Sequence, residues 1–143
     1  MDAPRQLVWK EWTEPECFAD WFGGPEAEVP LSTVSMDLRP GGIWTATTLA
    51  FGPHHRDIRW TGEYLVVIEP TRLAFTISGL PGRFAPEVVT VFLEDLGDAR
   101  TEMRLQQHGR LTPTEYRLAE RQWLTEFDRL ADRLTDVGGL HRP

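Results

Sequence analysis

The sequence predicts an α+β domain in which one curved antiparallel sheet wraps round a long C-terminal helix, with two short helices near the N-terminus. Three observations predict it. The middle of the chain is a series of short apolar-alternating runs, separated by Pro- and Gly-containing turns at fairly regular intervals. The C-terminal part carries one continuous apolar stripe at helical spacing. The N-terminal part carries two brief helical patterns divided by Pro15. A half-wet sheet and a one-striped helix each need cover, and each can cover the other.

Pro4 suits a first helical turn, and Leu7, Val8 and Trp12 recur at helix spacing, which predicts a helix over residues 4–13. Phe18, Trp21 and Phe22 predict a second over 15–22, with Thr13 as its N-cap, ended by Gly23-Gly24-Pro25. Six strands follow. Residues 31–38 and 43–50 flank the turn Pro40-Gly41-Gly42. Residues 58–68 place Ile58, Trp60, Gly62, Tyr64, Val66 and Ile68 on one face. Leu73, Phe75 and Ile77 alternate after the turn Glu69-Pro70-Thr71, and a further strand covers 87–94. After the Gly97-Asp98 turn, Ala99, Thr101, Met103 and Leu105 face one way while Arg100, Glu102, Arg104 and Gln106 face the other, so one face is buried and one is wet. Thr112, Pro113 and Glu115 form a capping box. Tyr116, Ala119, Trp123, Phe127, Leu130 and Leu134 then make the stripe, which Gly138-Gly139 stops, leaving 137–143 as a tail.

The totals exclude several classes. At 143 residues the chain is the size of one domain, spanning 1–143. Its net charge of −7, from 22 acids against 15 scattered bases, argues against nucleic acid and anionic lipid as partners. The longest strongly apolar run, Leu65 to Ile68, is far short of a membrane span. One cysteine, Cys17, and an N-terminus without an apolar h-region place the expected location in the cytoplasm.

Several stretches stand in a fixed order along the chain: Asp2-Ala3-Pro4-Arg5 with Val8-Trp9 and Trp12-Thr13, Asp37 to Gly42, Thr61-Gly62-Glu63-Tyr64, Glu69 to Leu73 with Phe75-Thr76, Val89-Thr90-Val91, Glu94-Asp95, and Trp123 with Phe127 to Leu134. Together they resemble the family of activator of heat-shock-protein-90 ATPase homologues, within the START-like (SRPBCC) superfamily of helix-grip folds. Each is weak alone; their order across almost the whole chain is specific. The resemblance implies a helix-grip fold with a cavity between sheet and helix. The chain departs from the family in two ways. The β-strand that usually precedes the Ala-Pro motif has no counterpart, so either the start is truncated or the sheet lacks an edge strand, and an open edge invites pairing into a homodimer. The extra N-terminal domain of the eukaryotic co-chaperone has no counterpart either.

The candidate chemistry is sparse. His54-His55 with Asp57 have metal-binding side chains, but adjacent histidines in an extended loop point apart, and a third ligand such as His108 would have to come from elsewhere; no metal and no cofactor is expected. Cys17 sits beside Glu16, and acidic neighbours raise a thiol pKa, so no nucleophile is expected there. The aromatic set carries more. Trp44, Trp60, Tyr64 and Phe75 from the strands, and Trp123 and Phe127 from the helix, with Met103 and His108, are the candidate lining of a ligand cavity for an apolar or aromatic small molecule. Tyr64 and the tryptophan N–H groups would orient that ligand. The competing reading is a filled core. Glu63, Glu69 and Glu102 read as solvent-facing, so no catalytic residue is assigned. Three functions stay open: a binding module, a polyketide cyclase- or aromatase-like enzyme using Tyr64 and His108, and a chaperone-assisting interaction domain.

Overall fold

A computed structural model describes residues 1–51, 56–80 and 86–140 of the chain. The elements run α1 (Arg5–Thr13), α2 (Pro15–Phe18), β1 (Ala27–Glu28), β2 (Ser35–Met36), β3 (Ile43–Ala50), β4 (Ile58–Ile68), β5 (Arg72–Leu80), β6 (Glu87–Gly97), β7 (Arg100–His108) and α3 (Pro113–Leu140). The strands form one antiparallel sheet in the order β1-β3-β4-β5-β6-β7, with β2 also paired to β3. The sheet is a curved half-barrel, and α3 lies in its grip.

The consecutive hairpins β3 to β7 follow the sequence pattern. The last turn falls on Asp98-Ala99, one residue later than expected, and both have the positive φ of a two-residue hairpin turn, so Ala99 is exposed in the turn and does not join the buried face with Thr101. Met1 donates to and accepts from Thr101 of β7 through its backbone, at 2.8 and 2.9 Å. A strand residue directs its N–H and C=O to one side, so Met1 lies along β7 on the side away from β6.

Five expectations are corrected. Residues 31–38 are not one strand: Leu31–Thr33 is a 3-10 turn and only Ser35–Met36 pairs. Ala27–Glu28 adds a short strand that has no alternating pattern to announce it. Thr13 does not cap α2; its hydroxyl donates back to the Trp9 carbonyl, 2.9 Å away, inside α1. α2 ends at Phe18, four residues early, and turns carry the chain on to Gly23. α3 runs on through Gly138-Gly139 to Leu140.

One strand changes phase. Between Tyr64 and Val66 the β4 register against β5 shifts by one residue, so that Val67, not Val66, pairs with core residue Leu73. Ile68 is exposed as a result, where simple alternation buries it.

The core is aromatic. Trp12 of α1 stands at its centre, with ring centroids of Phe18, Trp21, Phe75, Trp123 and Phe127 between 4.8 and 6.5 Å away. An ion cluster ties α1 to α3. The Arg133 guanidinium meets both carboxylate oxygens of buried Glu11, at 2.6 and 3.2 Å, and reaches Asp20 at 2.5 Å.

Candidate functional site

The grip is filled at one end and hollow at the other. At the filled end the aromatic rings of α1 and α2 reach the strands. Trp44, Tyr64 and Phe75 are buried there around a void of about 10 Å³, room for no more than one water. At the other end a cavity of about 630 Å³ lies between α3 and the near ends of β3 to β7, within the range of small-molecule sites.

Each wall follows from local structure. Phe22 and Gly23 enter from the turn after α2, and Thr48 from β3. Ile58 and Trp60 come from β4, and Ile77 from β5. The first half of α3 supplies Leu118, Ala119, Gln122, Trp123 and Glu126. Trp123 and Glu126 are three residues apart and so share a helix face.

Of the eight expected lining residues, the structure brings two to this cavity: Trp60 and Trp123. Phe127 packs among the core rings. Met103 is half-buried, and its sulfur accepts from the Trp12 indole at 3.3 Å. His108 is exposed, because it sits one residue out of phase with inward-facing Gln107. Burial, followed by the charge of Asp37, pushes the Tyr64 hydroxyl further above its ordinary pKa, so it stays protonated. The indole N–H groups do not orient a ligand as expected. Trp60 donates to the Thr48 hydroxyl at 3.0 Å, and Trp123 to the Gln107 side-chain carbonyl at 2.8 Å.

Sequence reasoning missed two buried carboxyls on the wall, Glu87 and Glu126. Glu87 accepts from the Arg110 backbone N–H at 2.9 Å and from the Gln107 amide at 3.4 Å. The Trp123–Gln107–Glu87 chain therefore braces β6, β7 and α3 around the cavity. Glu126 is 4% exposed and accepts from the Gly23 N–H at 2.5 Å. Burial raises its pKa to about 7, against the lowering effect of that hydrogen bond and of Gln122. Both residues were detectable: Glu87 shares the phase of Val89, Val91 and Leu93, and Glu126 lies within the Trp123–Phe127–Leu130 stripe. An acid at an apolar phase is the signal.

Cys17 is held protonated. Burial and then Glu11 push its thiol up to about 12, so it is no nucleophile near neutral pH. His54 and His55 lie outside the described residues; Asp57 is exposed. Among the described residues no three His, Cys, Asp or Glu side chains gather as a metal site, and no helix is long and apolar enough to cross a membrane.

The family of Activator of Hsp90 ATPase homolog 1-like proteins matches residues 2–135 of the chain. No curated protein matches the sequence. Among solved structures, a protein of Chromobacterium violaceum superposes with a TM-score of 0.79 at 21% identity, covering 94% of this chain and 91% of its own. A Nitrosomonas europaea protein gives 0.75 at 23%, covering 97% and 92%. An AHSA1 protein of Silicibacter pomeroyi gives 0.74 at 19%, covering 94% and 92%. At these identities the likeness establishes the fold alone.

Proposed function

The chain belongs to the family of Activator of Hsp90 ATPase homolog 1-like proteins, and from that membership and the cavity we propose that it binds a small, largely apolar or aromatic molecule between the sheet and α3. The observation that carries the reading is the cavity itself: about 630 Å³ beside a core that is otherwise packed with rings. Native interiors close-pack, so a space of this size among large side chains suits an occupant. The walls Phe22, Ile58, Trp60, Ile77, Leu118 and Trp123 would bury an apolar body.

The test is titration with N-phenyl-1-naphthylamine, read by tryptophan quenching. Saturable quenching, with a raised melting temperature, is the expected result, since Trp60 and Trp123 both line the cavity. Failure of this probe and of a panel of aromatic compounds to bind saturably removes the reading.

Glu126 favours one second reading, an enzyme of the cyclase kind. A carboxyl that titrates at about pH 7 suits proton transfer, whereas Tyr64 and His108 lie off the cavity. Turnover lost in Glu126→Gln with ligand binding retained would favour it. A homodimer would use the part of the β7 edge beyond Thr101, where Met1 pairs, and light scattering at twice 16.4 kDa would reveal it.

A further inference from the structure

We propose that the occupant of the cavity is an amine: an apolar or aromatic body carrying a protonated nitrogen that pairs with the Glu126 carboxylate. The inference rests on the ligand-binding reading and names the chemical class that the polar part of the wall selects.

The wall is rich in acceptors. Two carboxyls, Glu126 and Glu87, are more than nine-tenths buried and line the cavity. Among the described residues no Arg, Lys or His nitrogen comes within 4 Å of either. The Trp60 and Trp123 indole donors are already engaged with Thr48 and Gln107, and the cationic side chain on the wall among the described residues, Arg56, is exposed. Glu126 accepts from the Gly23 N–H and is also met by the Gln122 side chain, and a carboxylate can accept about four hydrogen bonds.

A buried carboxylate without a counter-charge is costly, so burial favours the neutral acid. A bound ammonium group supplies the missing charge and up to three donors. The aromatic side chains of Phe22, Trp60 and Trp123 add a favourable environment for a cation placed over a ring. An anionic ligand such as a fatty acid would instead set its charge beside Glu126 and Glu87.

The other charged residues on the same wall are Glu26 before β1, Arg56 before β4, Glu87 on β6 and Glu115 on α3, and Gln122 of α3 meets the Glu126 carboxyl directly. Arg56 and Glu26 are both exposed. Among the described residues, the buried ionisable groups on the wall are therefore the two carboxyls.

The experiment compares three probes of one shape: 2-naphthylmethylamine, 2-naphthylmethanol and 2-naphthoate. The amine should bind at least about tenfold tighter than the carboxylate, and its affinity should rise about tenfold or more between about pH 5.5 and about pH 8, as Glu126 loses its proton while the amine keeps its own. Glu126→Gln should remove the pH dependence and bring the amine down to the level of the alcohol. Should that variant fail to fold, the pH dependence in the native protein decides the matter. Equal or tighter binding of the carboxylate, or a flat pH profile for the amine, overturns the amine assignment and leaves the apolar-ligand reading standing. Binding by none of the three overturns both.

Discussion

Glu126 shows at residue scale what burial does to a carboxyl group. Its folded pKa, about 7, lies above the ordinary 4.5. The charged form is therefore disfavoured by folding. The penalty is absent below about pH 4.5, grows as pH rises, and is complete above about pH 7. The gap corresponds to about 3 kcal/mol. Glu126→Gln keeps an acceptor for the Gly23 N–H and removes the charge. Chemical unfolding should find the variant more stable by up to about 3 kcal/mol at pH 8 and equal to the parent near pH 4.5; equal stability at both would show that the carboxyl is solvated. Gly62 makes a different point. A Cβ there would lie 1.7 Å from the Thr76 carbonyl oxygen and 2.5 Å from the Trp44 indole nitrogen, which itself donates to that carbonyl. Gly62→Ala should cost more than about 2 kcal/mol by the same measurement. Neither effect is legible as a magnitude in sequence. The phase of Glu126 within an apolar stripe is legible; the depth at which it lies is not.

At the scale of elements, local rules worked where local chemistry decides. The capping box at α3 forms as its residues predict: the Thr112 N–H donates to the Glu115 carboxylate at 2.9 Å, and the Glu115 N–H donates to the Thr112 hydroxyl at 3.2 Å. The Thr112 N–H, and after it the Thr112 hydroxyl, hold the Glu115 carboxyl below its ordinary pKa. Thr112→Ala should lose about 1 kcal/mol, seen as a lower melting temperature. Thr13 failed as a cap because its hydroxyl had a nearer partner within its own helix, the Trp9 carbonyl. The Glu11–Arg133 pair joins residues 122 apart in the chain, and nothing local announces it. Arg133→Met strands buried Glu11 and should cost about 3 kcal/mol, and adding Glu11→Gln should recover part of that loss. Strict additivity in this double-mutant cycle would mean that the pair does not act as a unit. The strand β4 shows the limit of periodicity: counting by twos from Ile58 buries Ile68, yet the bulge after Tyr64 turns it outward.

At the scale of the whole molecule, the question of a filled core or a pocket divides in space. α1, α2 and the turn after α2 insert Trp12, Phe18 and Trp21 into one end of the grip, so the strand aromatics there pack against rings. At the other end, among the described residues, Phe22 is the one N-terminal aromatic on the wall of the cavity, which Ala119 of α3 also lines. Ala119→Phe should fill that space and weaken N-phenyl-1-naphthylamine binding at least about tenfold while leaving the melting temperature unchanged or higher; unchanged binding would place the probe elsewhere. The sequence by itself determined the class of fold, the order of its main hairpins, the capped start of α3 and its apolar stripe, because periodicity, turn residues and caps act over a few neighbouring residues. The tertiary structure alone decided which aromatics line a space, that Trp60 and Trp123 use their N–H groups internally, and that Glu87 and Glu126 face the same cavity. Those outcomes depend on where α1 and α2 dock against the sheet. That docking sums contacts between residues far apart in the chain, and no spacing within one segment records it.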